Sequence, residues 1–313
     1  MANRSDFVSN VWKDGIFDNR VVFVTGGAGS ICKVQTKALV YLGANACILG
    51  RNVEKTEAGA REIAAVRKGA KVIGIGGVDV RNLEDSLVFF CTDLTPYSSA
   101  GAAGNFVAPL SGLSPNGFRS VIEIDTIGTF NTVKATAPYL VESAARNPNP
   151  PPAGQVGTGG RILAVSATFH YTGLPLQSHV SAAKAGVDSI MASVALEYGP
   201  MGVSANVIAP GGIEGTEGME RLASSTATQS KEANAAVPSG RLGTVRDIAD
   251  ATVWMFSDAA NYVNGHVLVV DGASWRSPGA MAVGLDPDMK YPNFLITGHS
   301  KNIKTGKKEN SKL

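Results

Sequence analysis

Apolar residues fall along the chain in two alternating patterns, short unbroken runs and helical spacings of three and four. Val21-Val22-Phe23-Val24 is the first run, and an uninterrupted run of that length predicts a strand covered on both faces. It ends in Thr25-Gly26-Gly27-Ala28-Gly29-Ser30. Ile31, Val34, Ala38, Leu39 and Leu42 then recur at helical spacing, Gly43 stops the helix, and Ala46-Cys47-Ile48-Leu49 opens a second strand. A polar helix with Glu54, Glu57, Arg61 and Glu62 outward leads to a third strand over 71–76. Further along, the spacing predicts helices over 118–143, 180–198 and 245–256, with strands over 161–165, 203–208 and 267–270. Two stretches break the rhythm. Residues 147–160 are rich in Pro and Gly and read as an exposed loop. Residues 83–91 fit a short helix, but 92–99 are polar and contain Pro96, a poor central strand at a place where the alternation needs one.

Strands alternating with helices of this length predict an α/β fold, a single Rossmann-like doubly wound parallel sheet flanked by helices, with ligands at the C-terminal edge of the strands. With 313 residues and no second core in the pattern, the expected organisation is an extension over 1–18, one domain over 19–275 and a second extension over 276–313. Charged residues are 17% of the chain and glycine occurs 36 times, which suits a buried sheet with many tight turns rather than a disordered chain. The formal charge of +2 gives no reason to invoke nucleic acid or a membrane surface. Asp6, Lys13, Asp14 and Asp18 interrupt the N-terminal stretch, so no membrane span is expected there. Cys32, Cys47 and Cys91 lack metal-ligand spacing and read as reduced thiols, and the four histidines are scattered, so no metal site is expected.

The strand, glycine turn and helix at 21–42 carry the first chemistry. Backbone N–H groups at such a helix start point at an anion, and a dinucleotide pyrophosphate is the natural guest, with Gly26, Ser30 and Ile31 at the contact. Ser30 can donate to a phosphate. Cys32 reads as a small packing residue, or as a thiol acidified by the helix start. The second strand ends at Gly50-Arg51-Asn52. An acid there would take the ribose hydroxyl of NAD, whereas Arg51 suits the 2′-phosphate of NADP, so the expected cofactor is NADPH.

Together, the glycine turn, Asp79-Val80, Ser181-Ala182-Ala183-Lys184-Ala185 and Pro210-Gly211-Gly212-Ile213 resemble the short-chain dehydrogenase/reductase family over roughly residues 19–275. The resemblance implies that Asp79 and Val80 flank the adenine and that Lys184 bonds the nicotinamide ribose. It also implies that the backbone of Pro210, Gly211 and Ile213 holds the nicotinamide amide. The chain departs from the family at Ser30 and Cys32, where glycines are usual, and at three chemical positions. Val180 stands at the tyrosine position, Ala167 at the serine position with Ser166 adjacent, and Asp125 at the asparagine position. Neither alanine nor valine can supply a proton, so an alkoxide formed from a ketone would lack its acid.

Gly101-Ala102-Ala103-Gly104-Asn105-Phe106, Ile124-Asp125-Thr126-Ile127-Gly128-Thr129-Phe130-Asn131 and Ile213-Glu214-Gly215-Thr216-Glu217-Gly218 are similar to the peroxisomal branch of the 2,4-dienoyl-CoA reductases. That likeness implies NADPH-dependent reduction of a 2,4-dienoyl-CoA to a 3-enoyl-CoA. Asp125 would be the acid or would position a proton-donating water, Lys184 would act electrostatically, and Asn105 and Phe106 would line the acyl or thioester pocket. Two other readings stay open: a nucleotide-binding protein without catalysis, and a carbonyl reductase using a donor such as Tyr171. The chain closes on Ser311-Lys312-Leu313, which reads as the address recognised by the peroxisomal import receptor. The long helices offer apolar faces for a homodimer or homotetramer.

Overall fold

The computed structural model describes residues 3–87, 96–100, 104, 106–149, 159–222, 234 and 237–277. Seven parallel strands form one sheet: β1 (Val21–Thr25), β2 (Asn45–Leu49), β3 (Val72–Ile75), β4 (Pro96–Ala100), β5 (Gly160–Val165), β6 (Val203–Pro210) and β7 (Val267–Val270), in the order β3-β2-β1-β4-β5-β6-β7. The order reverses between β1 and β4, which pair from Val21 with Pro96 to Thr25 with Ala100. A crevice opens at such a reversal, outside the carboxyl ends of the strands.

Both faces of the sheet are covered, as the unbroken apolar runs require. On one face lie α1 (Ser30–Tyr41), α2 (Val53–Ala64) and α9 (Val245–Phe256), whose Leu39, Ile63 and Val253 pack over Val22, Val24 and Ile48. Phe7, Val8 and Phe17, from the first eighteen residues, are buried in the same cluster. On the other face, Leu140 of α5 (Gly128–Arg146) and Met191 of α7 (Ser178–Tyr198) pack on Ile162 and Val207. Short helices α3 (Leu83–Leu87), α4 (Pro115–Ile122), α6 (Phe169–Thr172) and α8 (Glu217–Leu222) complete the described helices around the strand ends.

Two elements differ from the pattern read along the sequence. The central strand is present despite Pro96, because the proline occupies its first residue, a place where a missing N–H is tolerated. The helix expected over 118–143 is two helices, α4 and α5, joined by a π-helical turn at Glu123–Ile127. There the N–H of Gly128 reaches back five residues to the carbonyl of Glu123, and Thr129 Oγ1 donates to the carbonyl of Asp125. The wide turn carries one extra residue and points Asp125 into the protein, a distortion often found at functional sites.

Candidate active site

Arg51, at the end of β2, Asp79 and Val80, beyond β3, and the glycine turn after β1 enclose a cleft of about 470 Å³ at the reversal of strand order. The turn fits a dinucleotide on its own geometry. Gly26 has φ of +64°, a conformation that side chains oppose. A Cβ at Gly27 would lie 2.5 Å from that of Ile48, so only glycine lets the turn fold this close to β2. Beyond it, the first N–H groups of α1 open toward the cleft, which Ser30 and Ile31 line.

Electrostatics sort the groups around this cleft. Arg81 holds Asp79 in a forked pair, with Nε 3.0 Å from both carboxylate oxygens, and this pairing keeps the Asp79 carboxyl below its usual range. Arg51 adds a weaker pull on the same carboxylate. Asn131, buried on α5, donates to the carbonyl of Val80 at 2.8 Å and so fixes the strip expected against the adenine. Cys32 is buried and its thiol is pushed up to about 11 by burial, with Lys184 pulling weakly the other way. Of the two readings of Cys32, the packing residue is the one found: enclosure outweighs the helix start.

A second group lies under the crevice. Lys184, on α7, places Nζ 3.1 Å from the carbonyl oxygen of Val165 and 3.1 Å from Oδ2 of Asp125. Oδ1 of Asp125 accepts the N–H of Gly104 at 2.6 Å. Asp125 is 0% and Lys184 7% exposed, so their contact is a buried ion pair. Its approach is too poorly aligned for Oδ2 to gain a regular hydrogen bond. The small residue Gly186 lets the π turn sit close to α7, where Thr126 Oγ1 donates to the carbonyl of Ala183.

Around this pair the surface is apolar. Val180 and Ala167 are buried, and Val180 packs with Val121, Ala183, Phe106 and Phe169. Ser166 is buried with its hydroxyl unpartnered. Tyr171 is half-exposed and donates to Asp188 at 2.7 Å. Burial first, and then this bond, raise its hydroxyl to about 12, which makes it a weak acid for a carbonyl oxygen.

Other sequence-predicted residues fall differently. Pro210 ends β6 and Gly211 donates to the carbonyl of Val270, where a Cβ would meet Asp271. The Ile213 side chain is buried in the core, so only its backbone is available at the strand edge. Phe106 lies beside Val180, while Asn105 lies outside the described residues, as do Cys91 and Ser311 to Leu313. Sequence reasoning missed Lys55 and Glu217, which form an ion pair across the mouth of the cleft, and the N–H of Glu217, which donates to Ser30 Oγ at 3.3 Å. Their separation of 162 residues hid the pair. Asn131 was detectable as a polar residue within an apolar helical stripe.

With this cleft at the strand reversal and a lysine from the long helix beside it, the chain belongs to the short-chain dehydrogenase/reductase family. A family model described as enoyl-(acyl carrier protein) reductase matches residues 26–273. Among curated proteins, the chain is 47% identical over 271 residues to the peroxisomal 2,4-dienoyl-CoA reductase SPS19 [(3E)-enoyl-CoA-producing] of Saccharomyces cerevisiae, covering 85% of this chain and 87% of that protein. The peroxisomal 2,4-dienoyl-CoA reductase of Mus musculus is 36% identical over 267 residues, covering 84% and 86%. The crystal structure of a short chain dehydrogenase from Bacillus anthracis superposes with a TM-score of 0.68 at 31% identity, covering 83% of this chain and 98% of that one.

Proposed function

We propose that the protein reduces 2,4-dienoyl-CoA to 3-enoyl-CoA with NADPH, in the peroxisomal breakdown of unsaturated fatty acids. The observation that carries this reading is the buried Asp125–Lys184 pair beside an apolar Val180 and Ala167. A site that keeps the lysine but has no phenol is poorly equipped to protonate an alkoxide. It suits a reaction in which carbon is protonated instead. The curated relatives, both named as 2,4-dienoyl-CoA reductases, support the same chemistry.

NADPH, when bound, supplies the hydride. The chain's own groups do the rest. Ser30 and the N–H groups beginning α1 receive the pyrophosphate, and Arg51 is the cation for the 2′-phosphate. Val80 flanks the adenine; Asp79, held by Arg81, positions that strip rather than offering a free carboxylate. Lys184, paired with Asp125, would hold the nicotinamide ribose, and its charge would favour the negative charge that develops on the conjugated thioester. Asp125 accepts the Gly104 N–H on Oδ1 and is ion-paired to Lys184 through Oδ2, which has no regular hydrogen bond among the described residues and is suited to orient a water that protonates the dienolate at carbon. The apolar wall of Val180 and Phe106 keeps bulk water from that carbanion-like centre. Pro210, Gly211 and Ile213 would present backbone to the nicotinamide amide, and Phe106 would line the acyl thioester pocket, the role the resemblance also gives Asn105, which lies outside the described residues.

The defining assay follows NADPH oxidation by the purified protein with a 2,4-dienoyl-CoA, a 2-enoyl-CoA and a simple ketone. Turnover confined to the dienoyl thioester is expected. Turnover of the ketone alone would move the assignment to a carbonyl reductase, and binding of NADPH without turnover of any of the three would leave a nucleotide-binding protein.

For the cofactor, Arg51→Ala is expected to weaken NADPH about 10- to 100-fold and NADH hardly at all, since a charge-assisted bond to phosphate contributes roughly 1.5–3 kcal/mol. Equal losses for the two nucleotides, measured by fluorescence titration, would remove Arg51 from the phosphate.

Localisation in the peroxisome follows from the curated relatives' names and from Ser311-Lys312-Leu313 as the import address. An N-terminally tagged protein lacking those three residues should stay in the cytosol. The exposed Phe130 on α5 and Leu196 on α7 give a second copy of the chain an apolar surface. Sedimentation at the monomer mass of 32.4 kDa would refute a homodimer or homotetramer.

A further inference from the structure

We infer that His179, assisted by Gln177, is a positioning residue that sets the Phe106 wall of the acyl thioester pocket, through a hydrogen bond from Nε2–H to the Phe106 carbonyl. The inference rests on the proposed dienoyl-CoA reduction. Gln177 caps the start of α7 and His179 lies in its first turn; they are 1% and 0% exposed. Both direct their side chains at one atom: Gln177 Nε2 donates to Phe106 O at 2.9 Å, and His179 Nε2 lies 3.1 Å from the same oxygen. A carbonyl has two lone pairs, and this one accepts on both. Because the carbonyl can only accept, the imidazole must carry a proton on Nε2.

The ring also packs on Phe106, with centroids 4.3 Å apart and planes inclined by 32°. The far end of the phenyl ring abuts Gly117, where a Cβ would come within 3.2 Å of Cζ. A third bond, from the N–H of Ala108 to the carbonyl of Leu176, ties the next residues of the same two segments together. Leu176 adopts a φ of +67°, an uncommon conformation for a residue with a side chain, at the bend that delivers Gln177 and His179. Strain of this kind persists where surrounding contacts over-determine it, and it clusters at binding sites.

Packing alone does not account for this arrangement. Gln177 Oε1 and His179 Nδ1 are buried without hydrogen-bond partners among the described residues, a cost that leucine and phenylalanine would avoid. What the two polar residues gain is a fixed orientation of the Phe106 peptide. The same segment supplies, two residues earlier, the Gly104 N–H that holds Asp125. The clamp therefore sets the apolar wall in register with the carboxylate, so that the thioester docks at the correct depth.

The test uses the full-length protein and separates the hydrogen bond from the ring. His179→Phe keeps an aromatic ring against Phe106 and removes the donor, whereas His179→Gln keeps an amide donor at nearly the same reach. His179→Phe is expected to raise the KM for a 2,4-dienoyl-CoA about ten-fold, the effect of losing one buried hydrogen bond, with kcat within about three-fold and the Kd for NADPH unchanged. His179→Gln is expected to restore KM to within about three-fold of the starting protein. NADPH titration and the thermal midpoint of each variant establish that it is folded. A KM unchanged in His179→Phe, or equally raised in both variants, overturns the hydrogen bond as the positioning element. A loss in kcat at constant KM overturns it too, because that would place His179 in proton delivery. Should both variants fail to bind NADPH, Gln177→Leu replaces them, and an unchanged KM there is equally fatal. If the unsubstituted protein does not oxidise NADPH with any dienoyl-CoA, the proposed reaction itself falls, and the inference with it.

Discussion

Replacing Asp125 by asparagine is expected to lower kcat for a 2,4-dienoyl-CoA by about 10²- to 10⁴-fold, the usual contribution of a group that directs proton transfer, while NADPH binding changes little. The substitution is close to isosteric. An asparagine carbonyl oxygen can still accept the Gly104 N–H now 2.6 Å from Oδ1, so the π turn and the end of β4 keep their relation. What is lost is the negative charge beside Lys184 and with it the group that orients the proton donor. The effect should appear in kcat more than in KM, because the interaction matters most as the dienolate is protonated. Single-turnover measurements separate the steps: hydride transfer should slow less than product formation if Asp125 serves protonation. A variant whose turnover stays within a few-fold of the starting enzyme would remove the carboxylate from the chemistry.

The main features of the fold were legible because they rest on local rules. Val21–Val24 must be buried on both sides, and Gly26 and Gly27 let the turn that follows fold close against β2. Lys184 was legible because Ser181-Ala182-Ala183-Lys184-Ala185 resembles the family's lysine segment, and Gly186 beside it packs against Thr126 of the π turn. Other features depend on partners far away in sequence. Nothing local shows that Arg81 captures Asp79, or that Lys55 meets Glu217. The π turn was hidden because Val121, Ile124 and Ile127 keep a spacing of three that an ordinary helix also shows, and a single extra residue alters direction without altering composition. Pro96 was misleading for the opposite reason: a residue that opposes a strand interior is harmless at its start. The role of His179 needed the position of the Phe106 carbonyl, 73 residues away in sequence.

The buried pair also makes a stability prediction distinct from catalysis. Lys184→Met keeps length and apolar bulk but leaves Asp125, fully enclosed, without its cation. Removing one member of a buried ion pair costs about 3–5 kcal/mol, so the urea midpoint should fall sharply and activity should vanish. The corresponding loss in Asp125→Asn should be smaller, because Lys184 retains the Val165 carbonyl at 3.1 Å. Combining the two substitutions removes both charges and should recover most of the stability lost in Lys184→Met, leaving a folded protein that does not turn over. Such non-additivity is the signature of direct coupling, whereas losses that simply sum would mean that the two groups act independently. The measurements belong on nucleotide-free protein, since a ligand that binds only the folded state adds stability in proportion to its affinity and would mask the difference. If the pair behaves in this way, the enzyme keeps a costly buried charge pair for the reaction rather than for the fold, because two uncharged side chains would hold α7 against the π turn nearly as firmly.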